Sequence, residues 1–489
     1  MKLSRIFANV RPLEIFGDPS IEITGISQDS RSVKPGDLFV CIKGTKYDGH
    51  QFLSKAAAAG AVAAVVEDLP EDNYGLTLVK LPSVATDLKE FVSSFYNYPD
   101  RQLHLIGVIG TNGKTTSTYL MKNILETAGF STGLIGTIAN LIKERLLEAH
   151  NTTPGTLELQ QLFAEMVAAG VSHVVMEVSS HSIHQGRIGG LNFKNGIFTN
   201  ITQDHLDYHK TFEEYLDVKT SFFADLADDA HAAINIDDLH AEYIISRTKA
   251  KITTYGIKGP ADVRAENIRV TANGVIYTVF TPQGSIDLDL KLTGSFNIYN
   301  SLGVVASALA MGIDLKTIKQ GLENVIGVPG RFQLVTVPNA NFGVIVDYAH
   351  TPDGLENILT TGRGLKPNRL WVVFGCGGDR DRTKRPQMGA LAAKLADYTI
   401  ITSDNPRSED PLSIIKDIEA GFVAANPNAR YSLIPDREQA IREAIRRADA
   451  GDLILIAGKG HETYQIFKDE TIHFDDREVA HQALAERFQ

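Results

Sequence analysis

The sequence predicts an α/β protein of three domains: a small N-terminal α/β domain over residues 1–99, a central P-loop-type domain built on a parallel sheet with a small antiparallel patch over 100–332, and a C-terminal Rossmann-like domain over 333–489. Three observations carry this prediction. A chain of 489 residues exceeds what one hydrophobic core holds, so about three domains are expected. Short apolar runs alternate with helical stretches in two long series, the pattern of parallel sheets covered on both faces. Residues 110–116 read GTNGKTT and stand between the apolar run Leu103 to Ile109 and a stretch of helical spacing, Ser117 to Ala128.

Element by element, the first domain mixes short strands at Leu38 to Ile42, Ala61 to Val66 and Leu76 to Val79 with an alanine-rich helix near Ser54 to Ala59, and Asn97, Tyr98 and Pro99 end it. From Arg101 the strands fall at 103–109, 133–138, 171–178, 195–201 and 230–236, with helical segments between them. Residues 262–293 break the rhythm with alternating strands joined at Asn273-Gly274 and Gln283-Gly284, both good hairpin turns. A helix from Asn297 to Met311 is closed by Gly312, and Val328 to Arg331 reads as a linker. The last series has strands at 343–348, 369–374, 398–402 and 452–457, a second doubly wound sheet.

Composition narrows the function classes. The apolar share of 43% and charged share of 22% are those of a soluble globular chain. A net charge of −11 argues against nucleic acid or an anionic membrane as partner, so any anionic substrate needs local positive charge. The two cysteines, Cys41 and Cys376, form no disulfide or zinc pattern, which suits a reducing cytoplasm. No apolar run reaches a membrane span, and the first residues carry no uninterrupted signal-like core.

The strand–turn–helix around GTNGKTT turns successive backbone N–H groups inward at a helix N-terminus, a site for a phosphate chain. Lys114 would reach the outer phosphates and the Thr115 hydroxyl would hold Mg²⁺. The spacing departs from the usual rule, because Val108 stands where the first glycine belongs. Glu177, near the carboxyl end of the strand His173 to Val178, reads two ways: a Mg²⁺ ligand or a satisfied structural carboxylate. SSHSIHQGRI at 179–188 has the polar crowding of a binding loop. NITQDHLDYH at 200–209 offers His205 and neighbouring carboxylates to a metal ion, or simply starts a capped helix. Lys219 lies on the helical stretch EEYLDVKTSFF and, without context, reads as a solvated helix residue.

In the last domain GCGGDRDRTKR at 375–385 resembles a dinucleotide fingerprint only weakly, since neither the helix start nor the acidic ribose ligand follows, and NAD is rejected. Arg380, Arg382 and Arg385 suggest recognition of carboxylate or phosphate instead. With SDNPRSEDP at 403–411 and GKGHETYQ at 458–465, three polar loops follow three strands of one sheet and converge on one crevice.

The ordered set DSRSVKPGDLFV (29–40), GTNGKTT (110–116), NTT (151–153), MEVSSHSI (176–183), GSFNIYN (294–300), VDYAHTPD (346–353), GGDRDRTKRP (377–386), DNPR (404–407) and GKGHE (458–462) strongly resembles the Mur ligase family over the whole chain. GTNGKT without the distant first glycine is that family's usual form. The resemblance implies an ATP-dependent amide ligase of cell-wall precursor synthesis, of the type that adds a diamino acid to UDP-N-acetylmuramoyl-L-alanyl-D-glutamate through an acyl phosphate. It implies a cytoplasmic enzyme, and a monomer is the expectation.

Residue by residue, the resemblance implies ATP contacts at Gly110, Thr111, Asn112, Gly113, Lys114, Thr115 and Thr116. Asn297, Arg331, Asp347 and His350 would contact the nucleotide from the far side. Mg²⁺ would be held by Thr115 and Glu177, and a second Mg²⁺ by His205, with Lys219 carboxylated to a carbamate; Lys114, Glu177, His205 and Lys219 form the implied catalytic set. The muramoyl dipeptide would meet Asn151, Thr152, Thr153, Ser179, Gln185 and Arg187, and its UDP end Ser30, with Thr45 to Tyr47 as weaker candidates. Arg380, Asp404, Asn405, Pro406, Arg407, Gly458 and Glu462 would bind the added amino acid, Glu462 taking an ammonium group. Meso-diaminopimelate has a second carboxylate that L-lysine lacks, and Arg407 supplies the extra cation for it. The rivals are a lysine-adding sister ligase, a folylpolyglutamate synthase sharing GTNGKT, and a P-loop switch ATPase that makes no amide.

Overall fold

The computed structural model describes residues 1–44, 47–271 and 274–488. The fold is of the expected α/β class, and the chain divides into two compact units. One comprises Met1–Leu105, Pro154–Ser172 and His184–Asn192; the other comprises Ile106–Thr153, His173–Ile183 and Phe193–Gln489.

The first unit carries a five-stranded sheet in the order Glu14–Phe16, Thr77–Lys80, Ala63–Val66, Asp37–Val40, Gly25–Ser27. Only its first pair is antiparallel. The helix Val84–Phe95 starts at a Ser83 cap that accepts from Thr86 N. It buries Val84, Leu88, Phe91 and Val92, one face at a spacing of four, three and one, in the core that also holds Leu38, Val65 and Val79.

The second unit contains an eleven-stranded and a six-stranded sheet. In the larger one the strand His104–Ile109 lies between Phe193–Phe198 and His173–Val178, so the loop after it emerges at the sheet's middle. The antiparallel strands Val263–Thr271, Gly274–Thr281 and Gly284–Leu290 form the expected patch. Val263–Thr271 pairs in parallel with Lys251–Gly256 at Tyr255↔Val263 and Gly256↔Arg264, which makes the patch one edge of the main sheet. The Gln283-Gly284 turn closes the second hairpin, while Asn273 lies outside the described residues. An unexpected hairpin, Asn140–Ile142 with Arg145–Leu147, extends the other edge; its strands are too short for a periodic signal. Helix Ser295–Ala310 is buried almost all round, with Ile298, Leu302, Val305 and Leu309 in the core of this sheet.

The smaller sheet runs Gln333–Val335, Gly343–Asp347, Leu453–Ala457, Leu370–Phe374, Tyr398–Ile401, Tyr431–Leu433, parallel after its first pair. Alternate residues of Leu370–Phe374 enter different cores, Val372 and Phe374 one, Trp371 and Val373 the other, so helices cover both faces. No described helix is long and apolar enough to cross a membrane.

Candidate functional site

Strand His104–Ile109 ends at Gly110, and the helix Lys114–Thr127 begins four residues later. Gly113 caps this helix with φ +86°, and a Cβ there would collide with Asn300 Oδ1. Only glycine takes that backbone without strain so close to a neighbour. The loop is anchored from the next strand, where Asn200 Oδ1 accepts from Asn112 N at 2.9 Å and the Asn200 carbonyl accepts from Thr111 N at 2.8 Å. The helix N-terminus thus opens on a cavity of about 460 Å³ lined by Thr111 to Thr116, Glu177 and His205 among others. Exposed first-turn N–H groups and the helix dipole favour an anion there.

Lys114 folds back over its own loop, donating to the carbonyls of Gly110 at 2.9 Å and Thr111 at 2.8 Å. Burial lowers its pKa, against the charges of Glu177 and Asp204. Lys219 is buried, not solvated, and its Nζ donates to the same Gly110 carbonyl at 2.6 Å. The reason is helical phase: on Phe212–Ala224 the buried residues include Tyr215, Lys219, Phe222 and Phe223, which places Lys219 in the apolar stripe. Thr111 Oγ1 and Tyr215 Oη share a hydrogen bond of 3.0 Å, holding this helix to the loop. Burial, then the charge of Lys114, pushes the Lys219 pKa well below the usual lysine value.

Glu177 is buried, and both its oxygens accept from Thr137, Oε1 from the backbone N at 2.9 Å and Oε2 from the hydroxyl at 3.0 Å. Thr137 Oγ1 also contacts Thr152 Oγ1 at 3.0 Å, while Thr153 donates to the Glu177 carbonyl at 2.8 Å and accepts from Ser179 N at 3.0 Å. Thr153 therefore fixes the Glu177 main chain and Thr152 the Thr137 that holds the carboxylate, and Asn151 stands exposed beside them. His205 sits in the left-handed region, φ +55°, before the short helix Leu206–His209, and gives it no side-chain cap. Its Nε2 lies 3.3 Å from Asp204 Oδ2, its ring packs edge-on to His181 at 4.8 Å, and burial lowers its pKa to about 3.

The cavity's other wall comes from the smaller sheet. Arg331 Nη2 donates to Thr115 Oγ1 at 2.8 Å while its guanidinium lies 4.4 Å over the Tyr348 ring. Asp347 accepts from Phe332 N at 2.6 Å and Ala349 N at 2.7 Å, and burial raises its pKa against Arg331. His350 lines the wall with a pKa lowered by burial to about 4. Asn297 stands one step behind the cavity, its Oδ1 accepting from Asn300 Nδ2 at 2.9 Å. Asn300 and Asp353, which accepts from Asn112 Nδ2 at 2.6 Å, line the cavity and were not singled out in the sequence, although both end motifs quoted there. Among the described residues no group of three or more His, Cys, Asp or Glu side chains is placed to hold a metal ion. One carboxylate and one hydroxyl beside a phosphate site nevertheless suit Mg²⁺, which takes few protein ligands and completes its shell from phosphate and water.

A second cluster lies at the carboxyl ends of the smaller sheet's strands. Asp404 and Asn405 are buried, and Gln465 Nε2 donates to the Asp404 carbonyl at 2.6 Å. Lys459, fully buried, donates to Asn405 Oδ1 at 3.1 Å and Glu462 Oε2 at 2.9 Å, and Asn405 Nδ2 reaches the same Oε2 at 2.9 Å. Glu462 thus already holds one ammonium, from Lys459, a partner the sequence reading missed. Burial and Asp404 raise its pKa, opposed by Lys459. Gly458 has φ +119°, and a Cβ there would strike Asp404 Oδ2. Arg437 and Asp476 pair at 2.7 Å, fully buried, and Arg437 also donates to the carbonyls of Ser403 at 3.2 Å and Ala457 at 2.9 Å, tying both loops together. Arg407, next to Pro406, has φ +52° and donates to the Gly378 carbonyl at 2.8 Å. Arg380 donates to the Asp379 carbonyl at 3.0 Å. Neither has an ion-pair partner among the described residues, and burial plus Arg380 lowers the Arg407 pKa. Arg382 and Arg385 depart from the ligand-recognition expectation: Arg385 is buried between Glu409 at 2.8 Å and Asp417 at 2.9 Å, and Arg382 pairs with Asp417 at 3.1 Å.

The remaining predicted residues belong to the first unit. Ser30 lies in the turn after strand Gly25–Ser27. Arg187 donates through Nε and Nη2 to Gln185 Oε1 at 2.9 and 2.6 Å. Tyr47 is exposed, and Thr45 and Lys46 lie outside the described residues.

Residues 22–96 match the Mur ligase family catalytic domain, 108–308 the Mur ligase middle domain, and 330–460 the Mur ligase glutamate ligase domain. A UDP-N-acetylmuramoyl-L-alanyl-D-glutamate–2,6-diaminopimelate ligase of Geobacillus thermodenitrificans is 48% identical, with 100% of each chain covered. A ligase of the same name from Clostridium botulinum is 48% identical over 95% of this chain and 96% of its own. A solved structure, also of a ligase of that name, superposes with a TM-score of 0.69 at 32% identity, covering 100% of this chain and 99% of the other.

Proposed function

The chain belongs to the Mur ligase family, and on that premise we propose that it joins meso-diaminopimelate to UDP-N-acetylmuramoyl-L-alanyl-D-glutamate, using ATP, in the synthesis of peptidoglycan precursors. Full-length similarity to ligases of that name supports this reading. The observation that carries the choice of amino acid is the pair Arg380 and Arg407, cations without carboxylate partners among the described residues, close to a Glu462 whose Oε2 alone takes the bonds from Lys459 and Asn405. In this reading the arginines receive the diamino acid's second carboxylate, and Glu462 Oε1 receives its ammonium group. Asp404, Asn405, Pro406 and Gly458 shape the pocket.

The chemistry proceeds in two steps. A carboxylate oxygen of the D-glutamyl residue attacks the γ-phosphorus of ATP, ADP leaves, and an acyl phosphate forms. The amine then attacks the acyl carbon, loses its proton, and inorganic phosphate departs as the amide forms. Both steps crowd negative charge, so preorganised cations and N–H groups carry most of the catalysis. Lys114 and the loop Gly110 to Thr116 hold the β- and γ-phosphates, and Arg331 and Asp347 close on the nucleotide, with Asn297 positioning Asn300. Thr115 and Glu177 would hold one Mg²⁺, and His205 with carboxylated Lys219 a second, the ions neutralising phosphate charge. Lys219 suits carboxylation because burial and Lys114 push its pKa well down, toward the neutral amine that reacts with CO₂. Thr152, Thr153, Ser179, Gln185 and Arg187 are assigned to the muramoyl dipeptide and Ser30 to the UDP end, on domains bounded at 99/100 and 332/333. The substrates place the enzyme in the cytoplasm, and a monomer suffices.

Leaving the second carboxylate unpaired costs roughly 3 to 5 kcal/mol, or about two to three and a half decades of affinity. Arg407→Ala should therefore lose diaminopimelate selectively in steady-state kinetics with diaminopimelate and lysine compared. An unchanged preference would reject the assignment.

A further inference from the structure

A cleft of about 570 Å³ opens at the amino ends of strands Leu370–Phe374, Tyr398–Ile401 and Tyr431–Leu433, the end of the smaller sheet opposite the amino-acid loops. Arg369, Asp397 and Arg430 immediately precede these strands and line it. Five cations face the cleft: Arg363, Arg369, Lys394, Arg430 and Arg447. Four acids offset three of them: Asp397 holds Arg363 at 2.7 Å, Asp449 and Asp452 hold Arg369 at 2.6 and 2.7 Å, and Glu443 lies 4.0 Å from Arg447. Lys394 and Arg430 have no ion-pair partner among the described residues. Arg447 is fixed by Tyr398, donating to its Oη at 2.7 Å and lying 4.3 Å over its ring. A chain with a net charge of −11 thus leaves two cations, Lys394 and Arg430, uncompensated in one concave site.

The shape and chemistry define the ligand class. The volume is that of a small-molecule site. Tyr398 already carries Arg447 against its ring and stacks on Trp371 at 4.5 Å, so nothing calls for a nucleobase. Two free cations beside a fixed third suit a compact multivalent oxyanion. We propose that this cleft is a second anion site, separate from the phosphate loop, which binds a small phosphate-type polyanion through Lys394, Arg430 and Arg447.

The chain has a single tryptophan, Trp371, buried in the wall of this cleft, so its emission reports locally. The test titrates inorganic pyrophosphate into the full chain saturated with ADP, by calorimetry and tryptophan fluorescence together. A saturable heat with a change in Trp371 emission is expected. The double variant Lys394→Glu/Arg430→Glu should weaken that binding at least tenfold and leave ligase turnover unchanged, which also shows that it folds. No saturable heat in the presence of ADP overturns the proposal, as does equal binding by the double variant. Binding lost in Lys114→Ala but kept in the double variant would place the anion at the phosphate loop and overturn it too.

Discussion

Lys114 and Lys219 donate to one and the same acceptor, the carbonyl oxygen of Gly110, at 2.9 and 2.6 Å. Two ammonium groups cannot share a buried carbonyl at full charge without strong repulsion, and the deeper one, Lys219, gives way. Burial lowers both pKa values, that of Lys219 well below the usual lysine value, so Lys219 is the readier of the two to give up its proton. This asymmetry follows from the glycine turn, which brings its carbonyl between a helix N-terminus and the apolar stripe of another helix.

Lys219→Ala is expected to abolish turnover, and added short-chain carboxylates to restore part of it by supplying the anion the carbamate provided. Phosphate release with and without acetate or formate checks this. Full activity in the variant would remove the carbamate assignment.

Lys459→Met should act on amino-acid binding more than on the chemical steps. Without Lys459 the Glu462 carboxylate, already raised in pKa by burial and Asp404, protonates more readily and no longer attracts an ammonium. KM for diaminopimelate should rise by about one to two decades, the loss of one charge-assisted bond with its buried partner, while kcat changes little. The acid limb of the KM profile should move to higher pH. Equal losses in kcat and KM, with an unmoved profile, would contradict this role.

Stability should fall steeply in mild acid. Burial lowers the pKa of His461 to about 3, with Arg331 and Arg477 adding to it, and lowers those of His205 to about 3 and His350 to about 4. Between these values and the unfolded value near 6.5 the unfolded chain binds more protons, so stability rises with pH and is lost as pH falls through the window. Each such histidine adds a slope of up to about 1.4 kcal/mol per pH unit. His461→Asn should flatten the pH dependence of denaturant unfolding between pH 6 and 4.5 by up to that amount. A variant with the parent slope would show that His461 titrates normally in the fold.

Much of this site was legible from local pattern. The strand–turn–helix around Gly110 to Thr116, Glu177 at a strand end and the polar loops after three neighbouring strands all follow from periodicity and from where parallel sheets place their ligands. What escaped depended on pairing in three dimensions. Arg385 looked like Arg380 in sequence, but only the approach of helix Pro411–Ala425 gives it Glu409 and Asp417 as partners. Local pattern alone reads Lys219 as a solvated helix residue, because its charge outweighs its phase, although Tyr215, Phe222 and Phe223 flank it on the buried face; only the family resemblance assigns it to the catalytic set. The joining of strands 263–290 to the main sheet rests on two residue pairs at Tyr255 and Gly256, too short a register to be read from alternation.

The central claim is that phosphate held at Lys114 is used to make an amide whose amine donor is selected at Arg407. Its most direct measurement is phosphate release from ATP with UDP-N-acetylmuramoyl-L-alanyl-D-glutamate and either meso-diaminopimelate or L-lysine. Release that requires both the dipeptide and diaminopimelate is predicted. Release that needs neither, or that proceeds with lysine alone, would contradict the account.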